Sequence, residues 1–363
     1  MAVALNYRLN LFGFLASADL QKQTQNCNYG IFDQKTALEW INRNIEHFGG
    51  DPGNITVGGQ SAGGASAHAQ SLLQPTFKRA IVQSGAVGTL GPRSLEWHER
   101  RWDKLCKHFG VESLDPEERI SRLRQISSGK LVQAAADLSF HTFPTAADHI
   151  IKPDYTFDGT AISELMAGDV TRESMGTFEP RIRQLSNDRI LRAFAELPQR
   201  NAIFEEYGID FENREKLEQG LAAFLTDVAF ALPIAKLFDR WPADRPLYRY
   251  HCTRGNPFIG SHTYGHAHHC VDLIYIFNCF DKDMKRTSPE SQKYACDWGQ
   301  IWIEFISGQR HGLLGKVTNA DLVAFEEEIR VGNANEPSRD AHHRRRTLME
   351  GSDLTSVWDN LGL

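Results

Sequence analysis

Five residues, Gly59-Gln60-Ser61-Ala62-Gly63, have the types and spacing to do chemistry. They follow the β-branched run Ile55-Thr56-Val57 and precede the small-residue run Gly64-Ala65-Ser66-Ala67, so the order is strand, sharp turn, helix. A serine at such a turn sits in a strained backbone region and is held out at the carboxyl end of a sheet, with glycines beside it because side chains there would strike the strand or the helix. The chemistry on offer is nucleophilic. A serine hydroxyl needs a base to take its proton, and the base needs a carboxylate to orient it and to stabilise its charge. An elbow of this kind sets the chain order serine, acid, histidine, so both partners are sought downstream. His262, His266, His268 and His269 cluster in a glycine-containing loop just before the apolar run Val271 to Phe280, and one of them is the expected base. The rival reading makes His262, His266 and His268 a metal site, but that run has no thiolate or acid arranged as a clear ligand set, so no metal is expected. Acyl transfer of this type also needs no cofactor. The oxyanion of its tetrahedral intermediate would take one N–H from Ala62 and others from a glycine-rich loop after an earlier strand. No stretch before Ser61 reads as that loop: Gly49-Gly50 sits at a helix end and Gly58-Gly59 is the elbow itself.

The elements that must position these residues read as an α/β protein. Leu38, Ile41, Ile45 and Phe48 are spaced 3, 4 and 3 apart, one helical face, with Ala37 and Trp40 widening it; the helix is expected to start near Asp33 and to stop at Gly49-Gly50-Asp51-Pro52. Strands are expected at Met1 to Leu9, around Ile55 to Val57, at Arg79 to Gln83 and at Leu247 to Tyr250, with a helical stretch around Leu221 to Phe238. Strand, helix, strand in succession predicts a mostly parallel sheet with helices on both faces. Residues 105–199 read as a helix-rich insertion over one sheet edge, interrupted at Phe143-Pro144-Thr145 and Lys152-Pro153-Asp154, within a single domain spanning 1–363.

Composition excludes several classes. The chain has 363 residues, 41% hydrophobic and 24% charged, which suits a globular protein with a sizeable core rather than a disordered or fibrous one. The net charge of −6 provides no basic field for nucleic acid or an anionic membrane, and the cluster His342-His343-Arg344-Arg345-Arg346 reads as a solvated face. The stretch Val271 to Phe280 is too short for the roughly 20 residues of a membrane span. Six cysteines are too sparse for a disulfide scaffold and read mostly as small buried thiols. Met1 to Leu5 runs straight into Asn6-Tyr7-Arg8 and carries no export signal, so the compartment stays open, the cytoplasm being the expectation if that start is native.

A more specific pattern then emerges. Asn6 to Leu15, Asp33 to Leu38, Phe48-Gly49-Gly50-Asp51-Pro52, Gly59 to Gly64 and Gln83-Ser84-Gly85 resemble, in order, the motifs of the type B carboxylesterase/cholinesterase family, and the wording around Ser61 and His268-His269-Cys270-Val271-Asp272 resembles its fungal members most. The resemblance runs from residue 1 to about Phe305 and implies an α/β-hydrolase fold and ester hydrolysis. It implies Ser61 as nucleophile, Glu173 as the acid, five residues after Gly168, and His269 as the base, three before Asp272 and eight before Phe277, with His268 the alternative. Ser174 follows Glu173 where the family usually has glycine, and 163–166 make a poor strand. Ser84 matches a buried serine that hydrogen-bonds around the triad. Gln60 stands where cholinesterases place a glutamate, which argues against choline esters and towards neutral ones. The family's His-Gly-Gly-Gly loop lies on a strand ahead of the Asn-Tyr-Arg-Leu strand, hence upstream of Met1. The chain is therefore expected to be an incomplete α/β-hydrolase domain with its triad intact and its activity impaired. The alternatives are a catalytically inactive cholinesterase-like binding protein and a non-functional fragment. Acyl and alcohol preference and oligomeric state are not legible.

Overall fold

In the computed structural model, residues 1–363 are described except for 74, 90, 141–143, 145–161, 313, 315–320, 326–328, 334–344, 350–353 and 363. The interruptions expected at 143–145 and 152–154, and residues 342–344 of the basic cluster, lie outside the described residues, Pro144 apart. The strands are β1 (Thr56–Gln60), β2 (Arg79–Gln83), β3 (Glu164–Val170), β4 (Leu247–Cys252), β5 (Asp321–Phe325) and β6 (Ile329–Asn333). They form one sheet in chain order, parallel from β1 to β5 with β6 antiparallel at the end. The helices that matter for the site are α1 (Ala62–Leu72), α2 (Arg214–Thr226), α3 (Leu232–Arg240), α4 (Val271–Ile276) and α5 (Pro289–Ser307).

The described residues group into two compact units. One holds Met1–Gly53, Ala69–Phe77 and Leu90–Ala161; the other holds Asn54–His68, Lys78–Thr89 and Ile162–Leu363, and with it the whole sheet. The core of the second unit lies between β3, β4, α4 and α5, where Val170, Tyr250, Cys252, Val271, Tyr275, Trp298 and Trp302 are buried together. Burying aromatic rings of this size contributes most of the local stability, since each removes some 150–250 Å² from water. Tyr275 and Trp298 stack with centroids 6.2 Å apart, which ties α4 to α5.

Three sequence expectations change. Met1 to Leu9 forms no strand and is mostly exposed; a strand needs a ladder partner, and among the described residues none is offered. Arg8 instead fastens this segment to the helix Tyr29–Asn44, its backbone N–H and guanidinium donating to Asp33 at 2.7–3.0 Å. That helix begins at Tyr29, four residues before the expected Asp33, and ends in the short 3₁₀ turn Ile45–Phe48, capped by Gly49 with φ 81°. Leu38, Ile41 and Ile45 are buried as expected, but Trp40 and Phe48 are 49% and 59% exposed and pack on each other at 6.0 Å. Within the weak run at 163–166, Glu164 to Met166 open β3, with Leu165 and Met166 paired on both sides; position in the sheet outweighs residue propensity there.

Of the cysteines, Cys27, Cys106 and Cys252 are buried, Cys270 is half-buried, and Cys279 and Cys296 are exposed; none forms a disulfide among the described residues. The continuous helical run from Arg214 to Arg240 is long and apolar enough to cross a membrane by length and composition, yet 67% of its most apolar window is buried in the protein's own core. Packing of this kind accounts for that apolarity.

Candidate active site

Ser61 sits between β1 and α1 with φ 59°, in the left-handed region that costs a non-glycine residue about 1–3 kcal/mol. The turn is held there by its neighbours. Ser61 N–H donates to Gln83 O at 2.8 Å, and Ala65 N–H to Ser61 O at 3.0 Å. A Cβ at residue 59 would lie 2.3 Å from the Gly63 backbone, and one at residue 85 would lie 2.3 Å from Ser61 O, so both positions demand glycine. Gly63 itself faces open space; the expected clash belongs to Gly59, not to Gly63. Ala62 is exposed and opens α1, so its N–H has no partner within the helix.

Glu173 follows the end of β3 and is completely buried. Its Oε1 accepts the Val170 N–H at 2.9 Å, and its Oε2 meets His269 Nδ1 at 2.5 Å. Ser174 is not among the residues with positive φ, so serine stands there without the strain that would call for glycine, and its N–H donates to Thr226 Oγ1 at 3.0 Å. Arg172 links the acid's turn to the histidine loop: its N–H donates to Ala267 O at 2.9 Å and its Nη1 to His266 Nδ1 at 3.1 Å.

His269 lies just before α4, with Cys270 at φ 69°. Its ring rests against Phe230, centroids 5.0 Å apart. Phe230 belongs to the π-helical turn Asp227–Ala231 between α2 and α3 and is buried. Burial alone would lower the His269 pKa, but contacts with the Cys270 side chain and with Glu173 outweigh it and push it up to about 10. The other ring nitrogen, Nε2, faces Gln60 Nε2 at 3.2 Å. Two nitrogens can pair this way only if the amide N–H donates to a bare imidazole Nε2, the tautomer in which Nδ1–H donates to Glu173. Protonation of His269 would require the amide to turn and offer its oxygen instead. Among the described residues the Ser61 hydroxyl makes no hydrogen bond, so in this state its neighbour Gln60 holds the imidazole nitrogen a nucleophilic serine would use.

Behind the pair lies a buried carboxyl. Asp272 is fully buried, its pKa pushed up to about 6 by burial first and by the nearby Glu173 charge second. Gln83 Nε2 donates to its Oδ2 at 3.1 Å and Tyr250 OH at 3.3 Å. Ser84, expected to hydrogen-bond around the triad, is buried with φ 46°, and its N–H donates to Gly168 O at 2.8 Å. Its Oγ finds no partner among the described residues, and Gln83, one residue earlier, takes up the polar role instead.

Glu173 and His269 are thus brought together, and Gln60 carries Ser61 to the same neighbourhood. His268 does not compete for the acid; its Nδ1–H donates to His269 O at 2.6 Å. Among the described residues no three His, Cys, Asp or Glu side chains gather as a metal-ligand set. Sequence reading missed Gln60 as a partner of the base, Phe230 beneath its ring, and Gln83 and Tyr250 on Asp272. Only the Gln60 identity was visible beforehand, and its contact depends on a residue 209 positions away.

Comparison with known proteins bears on the fold and the family. A PNB esterase structure superposes with a TM-score of 0.70 at 22% identity, over 96% of this chain and 73% of that one, which defines the fold as that of an α/β-hydrolase. The carboxylesterase family model matches residues 1–313, and the chain belongs to that family. Lipase 3 of Yarrowia lipolytica is 29% identical over 290 residues, covering 76% of this chain and 54% of that protein. Juvenile hormone esterase of Heliothis virescens is 39% identical over 145 residues, covering 38% of this chain and 25% of that protein. The inactive carboxylesterase-like protein VdtD of Byssochlamys spectabilis is 26% identical over 352 residues, covering 84% and 60%. The chain spans about half the length of the curated relatives it matches most extensively, and less of the others.

Proposed function

We propose that the chain hydrolyses neutral carboxylic esters of small molecules through an acyl-enzyme, with Ser61 as nucleophile, His269 as the base and Glu173 as the acid that orients it. The 2.5 Å contact between His269 Nδ1 and Glu173 Oε2, with the carboxylate wholly buried, carries this reading. An imidazole held at Nδ1 by a carboxylate has its Nε2 free in direction to take a hydroxyl proton and return it to the departing alcohol. Substrate entry would move the Gln60 amide aside and let Ser61 take its place at Nε2. Ser61 Oγ then bonds to the acyl carbon, the alcohol leaves with the proton from His269, and water repeats the cycle.

The oxyanion would be met by the Ala62 N–H. One such donor is typically worth ~10²–10³ in rate. The uncharged Gln60 beside the serine favours neutral esters over cationic ones. A second reading, that of an inactive protein such as the name VdtD denotes, is favoured by one observation: among the described residues the Ser61 hydroxyl is unbonded while Gln60 faces the base.

A fluorophosphonate probe decides between them. Labelling of the folded chain that disappears in Ser61→Ala supports the esterase; a folded chain that stays unlabelled at long exposure overturns it in favour of the inactive reading.

A further inference from the structure

The loop that carries His269 is organised around one buried side chain, Asn256, 6% exposed. Its backbone staples the loop, N–H to His266 O at 3.0 Å and C=O from Gly265 N–H at 2.9 Å. Its side chain does something separate. Oδ1 accepts the Phe258 N–H at 2.9 Å, and a backbone N–H can only donate, so the orientation of the amide is settled. Nδ2 must then be the group that faces Thr263 Oγ1 at 2.9 Å, Ser261 Oγ at 3.3 Å and His268 Nε2 at 3.3 Å. Because Nδ2 donates, His268 Nε2 is bare and the ring's proton sits on Nδ1, where it donates to the main-chain oxygen of His269 at 2.6 Å. A chain of fixed donors and acceptors thus runs from the Phe258 N–H through Asn256 and His268 to the backbone of the residue whose ring faces Glu173. Burial lowers the His268 pKa, in keeping with a neutral ring that donates on one side and accepts on the other. Its second ring nitrogen could not accept if it were protonated.

We infer that Asn256 and His268 are positioning residues for His269, setting the backbone that aims its imidazole between Glu173 and the Ser61 elbow. The inference rests on the ester-hydrolase reading for its kinetic consequence, but its geometric content stands apart from activity. A misplacement of about 1 Å in a reacting group can cost up to 10²-fold in rate.

The test compares four chains: the parent, Asn256→Asp, His268→Ala and His268→Gln. Asp keeps the shape of Asn256, its backbone staple and an oxygen for Phe258 N–H, but has no donor for His268. Gln at 268 can still offer an N–H to His269 O and an oxygen to Asn256. Asn256→Asp and His268→Ala are expected to lower kcat for a p-nitrophenyl ester about 10- to 100-fold with KM little changed, and His268→Gln to recover most of the loss. The downfield proton resonance of His269 Nδ1–H is expected to persist in the parent and in His268→Gln and to shift or broaden in the other two. Should Asn256→Asp fail to fold, His268→Ala and its Gln rescue carry the comparison alone. Unchanged kcat and an unmoved resonance in both disruptive variants overturn the inference. A parent that neither turns over nor labels with fluorophosphonate counts against the hydrolase reading instead, while the resonance still decides the positioning.

Discussion

Replacing Glu173 by glutamine tests the site through the proton it would misplace. In the parent, Oε1 accepts the Val170 N–H and Oε2 faces His269 Nδ1. In Glu173→Gln the amide has one oxygen, and Val170 N–H fixes where it goes, because an NH₂ there would meet another donor. The NH₂ must therefore face His269 and donate to Nδ1. That drives the ring proton to Nε2, the nitrogen now accepting from Gln60 at 3.2 Å, and leaves no lone pair to receive the Ser61 proton. Loss of the correct tautomer in a hydroxyl–imidazole–carboxylate array costs about 10⁴-fold in kcat, or ~5.4 kcal/mol at 1.36 kcal/mol per decade. The assay is the second-order rate of fluorophosphonate labelling, which reads nucleophile activation alone, with thermal melting as the control for folding. A folded Glu173→Gln that labels within tenfold of the parent would refute both the tautomer argument and the assignment of Glu173.

Two further outcomes follow from the geometry. Because the His269 pKa is raised to about 10, the neutral base is a minority form at pH 7 and grows about tenfold per pH unit; kcat/KM for an uncharged ester is expected to climb through pH 8–9, and a plateau already complete at pH 7 contradicts it. Gly85→Ala places a methyl 2.3 Å from Ser61 O, backbone that cannot yield, and is expected to destabilise the fold by at least ~1–3 kcal/mol and abolish labelling, whereas Gly63→Ala, into open space, melts like the parent; equal melting temperatures for the two variants would show the close approach to be unimportant.

What the sequence made legible was local. The elbow depends on five consecutive residues and their two flanks, so its strand, its turn and the strained serine could be read from one short stretch. Glu173 and His269 came only through the likeness to a family, because no local rule selects one glutamate or one of four clustered histidines; their meeting is made by β3 and by the turn before α4, 96 residues apart. Where sequence reading failed, tertiary partners were the cause. Glu164 to Met166 read as poor strand residues and still open a strand, because β2 and β4 offer ladders on either side. The stretch Met1 to Leu9 has good strand residues and stays unpaired among the described elements. Gln60 was read for its missing charge, but its contact with His269 Nε2 became visible only with the ring in place.

The order in which the strands lie side by side has a consequence in time. A ribosome adds ~5–20 residues per second, and the elbow precedes the histidine loop by about the 209 residues that part Gln60 from His269. The nascent hydroxyl therefore spends roughly 10–40 seconds without His269. If Ser61 is the nucleophile proposed above, its activation waits on chain growth, after β1 to β4 have been made.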